Sequence, residues 1–353
     1  MTQKSPRSIM RRGAEAIFCS IPARIGILGN PSDDYNGQCI STPCKNWRAM
    51  CVLTPHENRW DSTLSLDFSD SEPALEFKSV ENLASMPPNL NEGGISRLVL
   101  GTIIHFQEEC VSSGFAMPAS GYTMKISTDI PRQVGLAGSS AIVTAVLRCL
   151  LTHHGLGTAL PPHAIADMVL KVETEKLGIV GGLQDRLPQA YNQMLHMDFR
   201  EELMEGRGWG AYAELDSSLL PPLWLAHAEM GEDSGRVHAD LPERWATQDP
   251  VMVRSMKELA WCAHRGREAL VSNDMDGLSN EINRNFDIRI ELFGEDSLGN
   301  NLAMVKLARN LGSCAKQPGS GGAIFGVIPD EGFMERARSA FDEHGWKLVR
   351  LEI

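Results

Sequence analysis

The segment Val134-Gly135-Leu136-Ala137-Gly138-Ser139-Ser140-Ala141, opened by Pro131, dictates most about what this chain can fold into. Residues 140–151 contain no breaker and are apolar nearly all round, the pattern of a helix buried on every side. A glycine-rich turn feeding such a helix leaves the first backbone N–H groups without intrahelical partners, at the positive end of the helix dipole. That geometry suits a phosphate. Ser139 and Ser140 stand where turn meets helix, placed to hold a phosphate oxygen or a metal riding on one. Taken alone, the same string also fits a tight turn ahead of a core helix.

The rest of the chain narrows the choice. With 353 residues, 42% of them apolar, it can bury a real core, and its length favours two domains over one. The formal charge of −12 excludes a broad nucleic-acid surface, which needs clustered Lys and Arg. It leaves room for one nucleotide, whose local field a loop and a metal supply. No apolar run approaches the roughly 20 residues of a membrane span. The eight cysteines form no Cys-x-x-Cys pair and read as scattered reduced thiols of a cytoplasmic protein. A zinc site at Cys39, Cys44 and Cys51 is the alternative. Residues 1–15 carry Lys4, Arg7, Arg11 and Arg12 and are expected to be a disordered basic tail, with an organelle transit segment as the other reading.

The patterning predicts a strand pair over 16–29 interrupted by Pro22, a loop over 30–37, and short strands within 39–80. Helices are expected at 97–107, 140–151, 163–177 and 184–194, with a half-buried strand at 122–126. Residues 206–222, rich in Gly, Ser and Pro, read as a boundary region. A strand at 223–227 then opens a half with helices at 250–272, 275–291, 299–312 and 330–343 and strands at 323–328 and 346–353. This order argues for an α+β protein of two mixed domains, 16–210 and 211–353, and lacks the alternation of a doubly wound sheet.

Neither Gly-x-x-x-x-Gly-Lys-[Ser/Thr] nor Gly-x-Gly-x-x-Gly after a strand is present, so the loop belongs to neither common nucleotide fingerprint. A phosphoryl transfer needs a metal to neutralise phosphate charge and a carboxylate to accept or position the nucleophile's proton. Glu173 stands near the end of one helix, and Asp185 follows across Gly181-Gly182. Both also fit ordinary helix-surface acids. Lys316-Gln317-Pro318-Gly319-Ser320-Gly321-Gly322-Ala323 is a second glycine cluster, which lets backbone approach a ligand or stays a flexible hairpin.

Three motifs in this order resemble the GHMP kinase superfamily, over residues 16–330. Pro22-Ala23-Arg24-Ile25-Gly26-Ile27-Leu28-Gly29 is similar to its first motif, residues 131–141 to its second and residues 316–322 to its third. Ala137 is an extra residue in the second motif, and Asn30-Pro31 stands where galactokinases have Glu-His. Both departures resemble the glucuronokinase branch, as do Gly182-Leu183-Gln184-Asp185-Arg186, Gln189-Ala190-Tyr191 and Met197-Asp198-Phe199.

The resemblance implies an N-terminal domain like domain 2 of ribosomal protein S5 and a ferredoxin-like C-terminal domain. It implies an ATP-dependent sugar 1-kinase acting on the anomeric hydroxyl of D-glucuronate or a related uronic acid or sugar. The alternatives are a GHMP kinase for another sugar or small alcohol, or a catalytically silent sugar- and ATP-binding relative. Asp185 would be the base or orienting carboxylate, with Arg24 beside it. Gly135, Leu136, Ala137, Gly138, Ser139, Ser140 and Ala141 would wrap the ATP phosphates. Ser140, with Ser139 as its alternative, and Glu173 would hold Mg²⁺. Asp33 would bind a sugar hydroxyl, and Gly319, Gly321 and Gly322 would shape the substrate site. A uronate carboxylate wants a cation, for which Arg186 is proposed over Arg132. A monomer or homodimer without nucleic-acid or membrane partners is expected.

Overall fold

The computed structural model describes residues 15–58, 60–69, 71–85, 94–115, 120–228 and 240–353. The expected basic tail lies outside them, apart from Glu15. In chain order the elements are β1 (Ile17–Leu28), β2 (Gln38–Pro55), β3 (Leu64–Asp67), β4 (Leu75–Phe77), α1 (Val80–Ser85), α2 (Ile95–Ser112), β5 (Tyr122–Thr128), α3 (Gly138–His153), α4 (Pro162–Lys171), α5 (Leu183–Tyr191), β6 (Met194–Asp198), α6 (Glu201–Arg207) and β7 (Ala211–Leu215). The second half adds β8 (Leu223–His227), α7 (Leu241–Ala246), α8 (Pro250–Ser272), α9 (Met275–Phe293), α10 (Gly299–Asn310), β9 (Ala323–Val327), α11 (Phe333–Asp342) and β10 (Lys347–Arg350).

β2 is the spine of the first sheet. Its two ends pair with different strands on one side, residues 49–55 with β5 and 38–41 with β6, while β1 runs antiparallel to it from Ile17↔Leu53 to Leu28↔Ile40. The predicted strand pair around Pro22 is therefore one continuous strand. The proline is absorbed where the register shifts between Pro22 and Ala23, a place that asks for no ladder N–H. The short strands expected within 39–80 begin as the single 18-residue β2 instead. β7 pairs with β6, so the division expected at 210–211 cuts ahead of a strand of the first sheet. Its alternation over only five residues is too short to stand out among the surrounding glycines and serines.

Helix α3 is buried along most of its length, packed against β1, β2 and α2, as an all-round apolar helix must be. The second half carries an antiparallel sheet in the order β10-β8-β9. Trp224 of β8 packs against Phe333 and Phe341 of α11 on that sheet. α8 and α9 form a hairpin closed by Asn273 in the left-handed region and by the Asp274 carboxylate, which accepts from Gly277 N. α8 also packs on β1 and β2, so one apolar core runs from the first sheet into the helical hairpin.

Candidate active site

Backbone conformation at the glycine turn follows from its sequence. φ is positive at every second residue, +59° at Gln133, +82° at Gly135 and +57° at Ala137. Alternation of this kind turns successive N–H groups to one side, a concave anion nest. α3 then starts at Gly138 with no side chain capping it, so its leading N–H groups are spare for a ligand. Ala141 is different: its N–H is spent on Ala137 O and its side chain is buried, which removes it from the expected phosphate contacts. Gly135, Leu136, Ala137, Gly138 and Ser139 line a cavity of about 470 Å³, walled on its apolar side by Ile95, Leu98, Ile130, Ile142 and Ile179.

The expected metal-binding group comes together from distant segments. α4 does not continue smoothly to 177. It passes at Val172 into a π-helical turn, Val172–Lys176, that carries Glu173 inward to full burial. Ser139 Oγ donates to one Glu173 carboxylate oxygen at 2.6 Å and Ser140 Oγ to the other at 2.8 Å. The two serines, left open as alternatives in the sequence, thus share one carboxylate.

Arg186 corrects an expectation. Its Nε donates to Glu173 at 2.8 Å, Nη2 lies 2.7 Å from the same oxygen, and Nη1 donates to Gly182 O at 2.5 Å. Burial lowers its proton affinity, but Glu173 and then Asp185 outweigh that and leave it raised. A guanidinium so engaged braces Glu173 rather than waiting for a substrate carboxylate.

Asp185, in the first turn of α5, is paired with Arg24 of β1. Arg24 is 2% exposed, and its Nη1 also donates to Pro318 O at 2.5 Å, which ties the first motif to the third. Main-chain bonds repeat the tie: Arg24 N to Leu136 O at 3.0 Å and Gly26 N to Pro318 O at 3.0 Å. Lys316 is wholly buried and donates to Gly26 O, Asn30 Oδ1 and Gln317 O at 2.6–2.9 Å. Its pKa is pushed well down, by burial first and then by Arg289 and Arg24.

A second cavity of about 120 Å³ is lined by Asn30, Asp33, Asp34, Gln184, Arg289 and Gly319, among others. Asp33 Oδ2 accepts from Gln184 N at 3.1 Å, while Oδ1 is buried without a partner among the described residues. Burial, then Asp34 and Asp185, holds the Asp33 carboxyl well above its ordinary pKa. Asp34 is raised to about 6, first by loss of water and then by Asp185, against the pull of Arg186. The two cavities share Arg24, Val180, Asp185 and Ser320, so a ligand in each would meet at the Arg24–Asp185 pair.

Of the expected third-loop residues, Gly319 lines the small cavity, and Gly321 and Gly322 line neither. They serve the loop-to-loop contact. A Cβ on Gly321 would overlap Gly135 N, and Gly322 N donates to Gln133 O at 3.2 Å. Ser320, Asp34, Gln184 and Arg289 were not singled out from the sequence. Ser320 and Asp34 adjoin predicted site residues, and Gln184 lies inside a quoted motif. Nothing in the sequence sets Arg289 apart from the other polar residues of its helix.

Residues 97–193 match the family model described as GHMP kinases N terminal domain. Two Arabidopsis thaliana proteins, probable glucuronokinase 2 and glucuronokinase 1, are each 40% identical over 310 and 309 residues, covering 87% of this chain and 83% and 84% of theirs. The crystal structure of Lactococcus lactis galactokinase complexed with galactose superposes with a TM-score of 0.77 at 14% identity, over 96% of this chain and 94% of that one.

Proposed function

From the chain's membership of the GHMP kinase family, in its glucuronokinase branch, we propose that it transfers the γ-phosphoryl group of ATP to the anomeric hydroxyl of D-glucuronate, releasing the sugar 1-phosphate and ADP. The observation that carries this reading is the wall common to the two cavities. The larger one holds the anion nest and an apolar flank, as a nucleotide requires. The smaller one holds carboxylates that can accept hydrogen bonds from sugar hydroxyls, as Asp33 Oδ1 is free to do.

Asp185 at the junction takes or orients the proton of the attacking hydroxyl. Arg24 fixes that carboxylate and stands at the junction where charge spreads over the transferred group. Glu173 with Ser140 or Ser139 offers hard oxygen donors, which fit Mg²⁺. Among the described residues no three Asp, Glu, His or Cys converge as a metal cluster. A small protein share of this kind suits an ion that keeps waters and phosphate oxygens. When bound, Mg²⁺ would neutralise phosphate charge. Arg186 braces the Glu173 carboxylate that faces the two serines.

The test is a panel of aldoses and uronic acids with Mg·ATP, following ADP release and locating the phosphorylated carbon by NMR. Phosphorus coupling at C1 of glucuronate is expected. Absence of uronate turnover, or phosphate on another carbon, removes the proposal.

A further inference from the structure

Three arginines are buried around the two cavities, and two have carboxylate partners: Arg24 with Asp185 and Arg186 with Glu173. The third, Arg289, is 1% exposed and forms no ion pair among the described residues. It projects from α9, its guanidinium lying 5.3 Å over the Phe293 ring, and its Nε donates to Gln317 Oε1 at 3.1 Å. Nη2 is buried with no hydrogen-bond partner among the described residues. Burial alone lowers its pKa, to about 10, with no acid opposing the shift. Arg24 and Arg289 both bear on the buried Lys316, and Asp33, Asp34 and Asp185 share the small cavity with Arg289.

A buried cation without an anion is costly, and a fold that retains one leaves a place for an anion from outside. The position of Arg289 says which anion. It lines the small cavity and not the one holding the phosphate nest, so the nucleotide is not its partner. Asp185, which lines both cavities, marks the end of the small cavity where transfer occurs. Arg289 lines the small cavity alone and is not part of the wall the two cavities share. In a hexuronate the carboxylate carbon, C6, hangs from C5, on the other side of the ring oxygen from the anomeric carbon. Gln317 holds Nε and the Phe293 ring supports the guanidinium plane, so the fork is fixed in advance for a planar, two-oxygen group.

We propose that Arg289 binds the carboxylate of the acceptor sugar and makes the small cavity selective for a uronic acid over a neutral aldose. This rests on the reading of the chain as a sugar kinase. It assigns to α9 the role that the sequence had given to Arg186.

The test compares the full-length wild type with Arg289→Gln and Arg289→Lys, each with D-glucuronate, D-glucose and D-glucose 6-phosphate. KM and kcat are measured with Mg·ATP, and melting temperature with and without sugar. Arg289→Gln is expected to raise KM for glucuronate on the order of 100-fold, with a much smaller change in kcat and in KM for ATP. It should abolish the glucuronate-induced rise in melting temperature. Arg289→Lys should recover part of the affinity. A glucuronate KM within a few-fold of wild type in Arg289→Gln overturns the assignment, as does a loss shared equally with glucose. A wild type that prefers glucose 6-phosphate, or that phosphorylates neutral sugars alone, overturns it while leaving the kinase reading intact. A wild type that phosphorylates no sugar defeats that reading itself, and this inference with it.

Discussion

Single side chains here act in pairs whose partners come from far along the chain. Asp185 stands 161 positions from Arg24, and Glu173 more than 30 from the serines it joins. Asp185→Asn keeps the size of the side chain and removes its basicity. Turnover should fall on the order of 10³-fold while the Kd for ATP, measured by titration calorimetry, changes little. A rate near wild type would take Asp185 out of the proton-handling role. Ala137 shows how far a residue can be read from sequence. Its presence as an extra member of the glycine turn was legible, but its function as the third left-handed step of a nest was not. A string of letters does not state φ, and alanine is seldom found at +57°.

At the scale of elements, three segments meet through backbone as well as through the Arg24 and Lys316 side chains. The phosphate turn touches β1 by Arg24 N to Leu136 O and the third loop by Gly322 N to Gln133 O. Glycines 135 and 321 permit that approach. The clusters were visible as motifs, but their glycines invited a reading as ligand contacts where the structure makes several of them packing surfaces. The π-helical turn at Val172–Lys176 is a second case. The helical period ran on to 177 in the sequence, and only packing of α2 and α4 around Glu173 shows where the helix widens. Arg186 of α5 and Glu173 of that turn join the two elements as a buried pair. Removing one partner alone, Arg186→Met, leaves a buried charge and should cost about 3–5 kcal/mol in urea unfolding. The double variant Arg186→Met/Glu173→Gln should recover most of that stability and none of the turnover. Equal stability of wild type and Arg186→Met would show that the pair holds nothing together.

For the molecule as a whole, two enclosed histidines should make stability fall as pH falls. His196 in β6 is 6% exposed, and its Nε2 donates to Gln38 Oε1 at 3.2 Å. Burial, then Arg267, lowers its pKa from 6.5 to about 4, against the pull of Asp198. Above pH 6.5 neither folded nor unfolded chain protonates this ring. Between 6.5 and about 4 only the unfolded chain does, so stability is lost as pH falls. At about 1.36 kcal/mol per unit the loss approaches about 3 kcal/mol by pH 4. His196→Gln should flatten the dependence of urea-unfolding free energy on pH across that window, and an unchanged slope would exclude this ring as its source. His154, also lowered to about 4, by burial and then His153, adds to the same trend. What the sequence determined by itself was local: a turn built to expose N–H groups, an all-round apolar helix behind it, two acids at a set spacing, and a second glycine cluster. These depend on near neighbours along the chain, where propensity and spacing act directly. Tertiary structure alone decided which charges cancel. It spent Arg186 on Glu173, left Arg289 in the smaller cavity without an ion pair among the described residues, and joined both cavities at Arg24 and Asp185. Charge compensation depends on burial and on distance in space, and neither is set by distance in sequence.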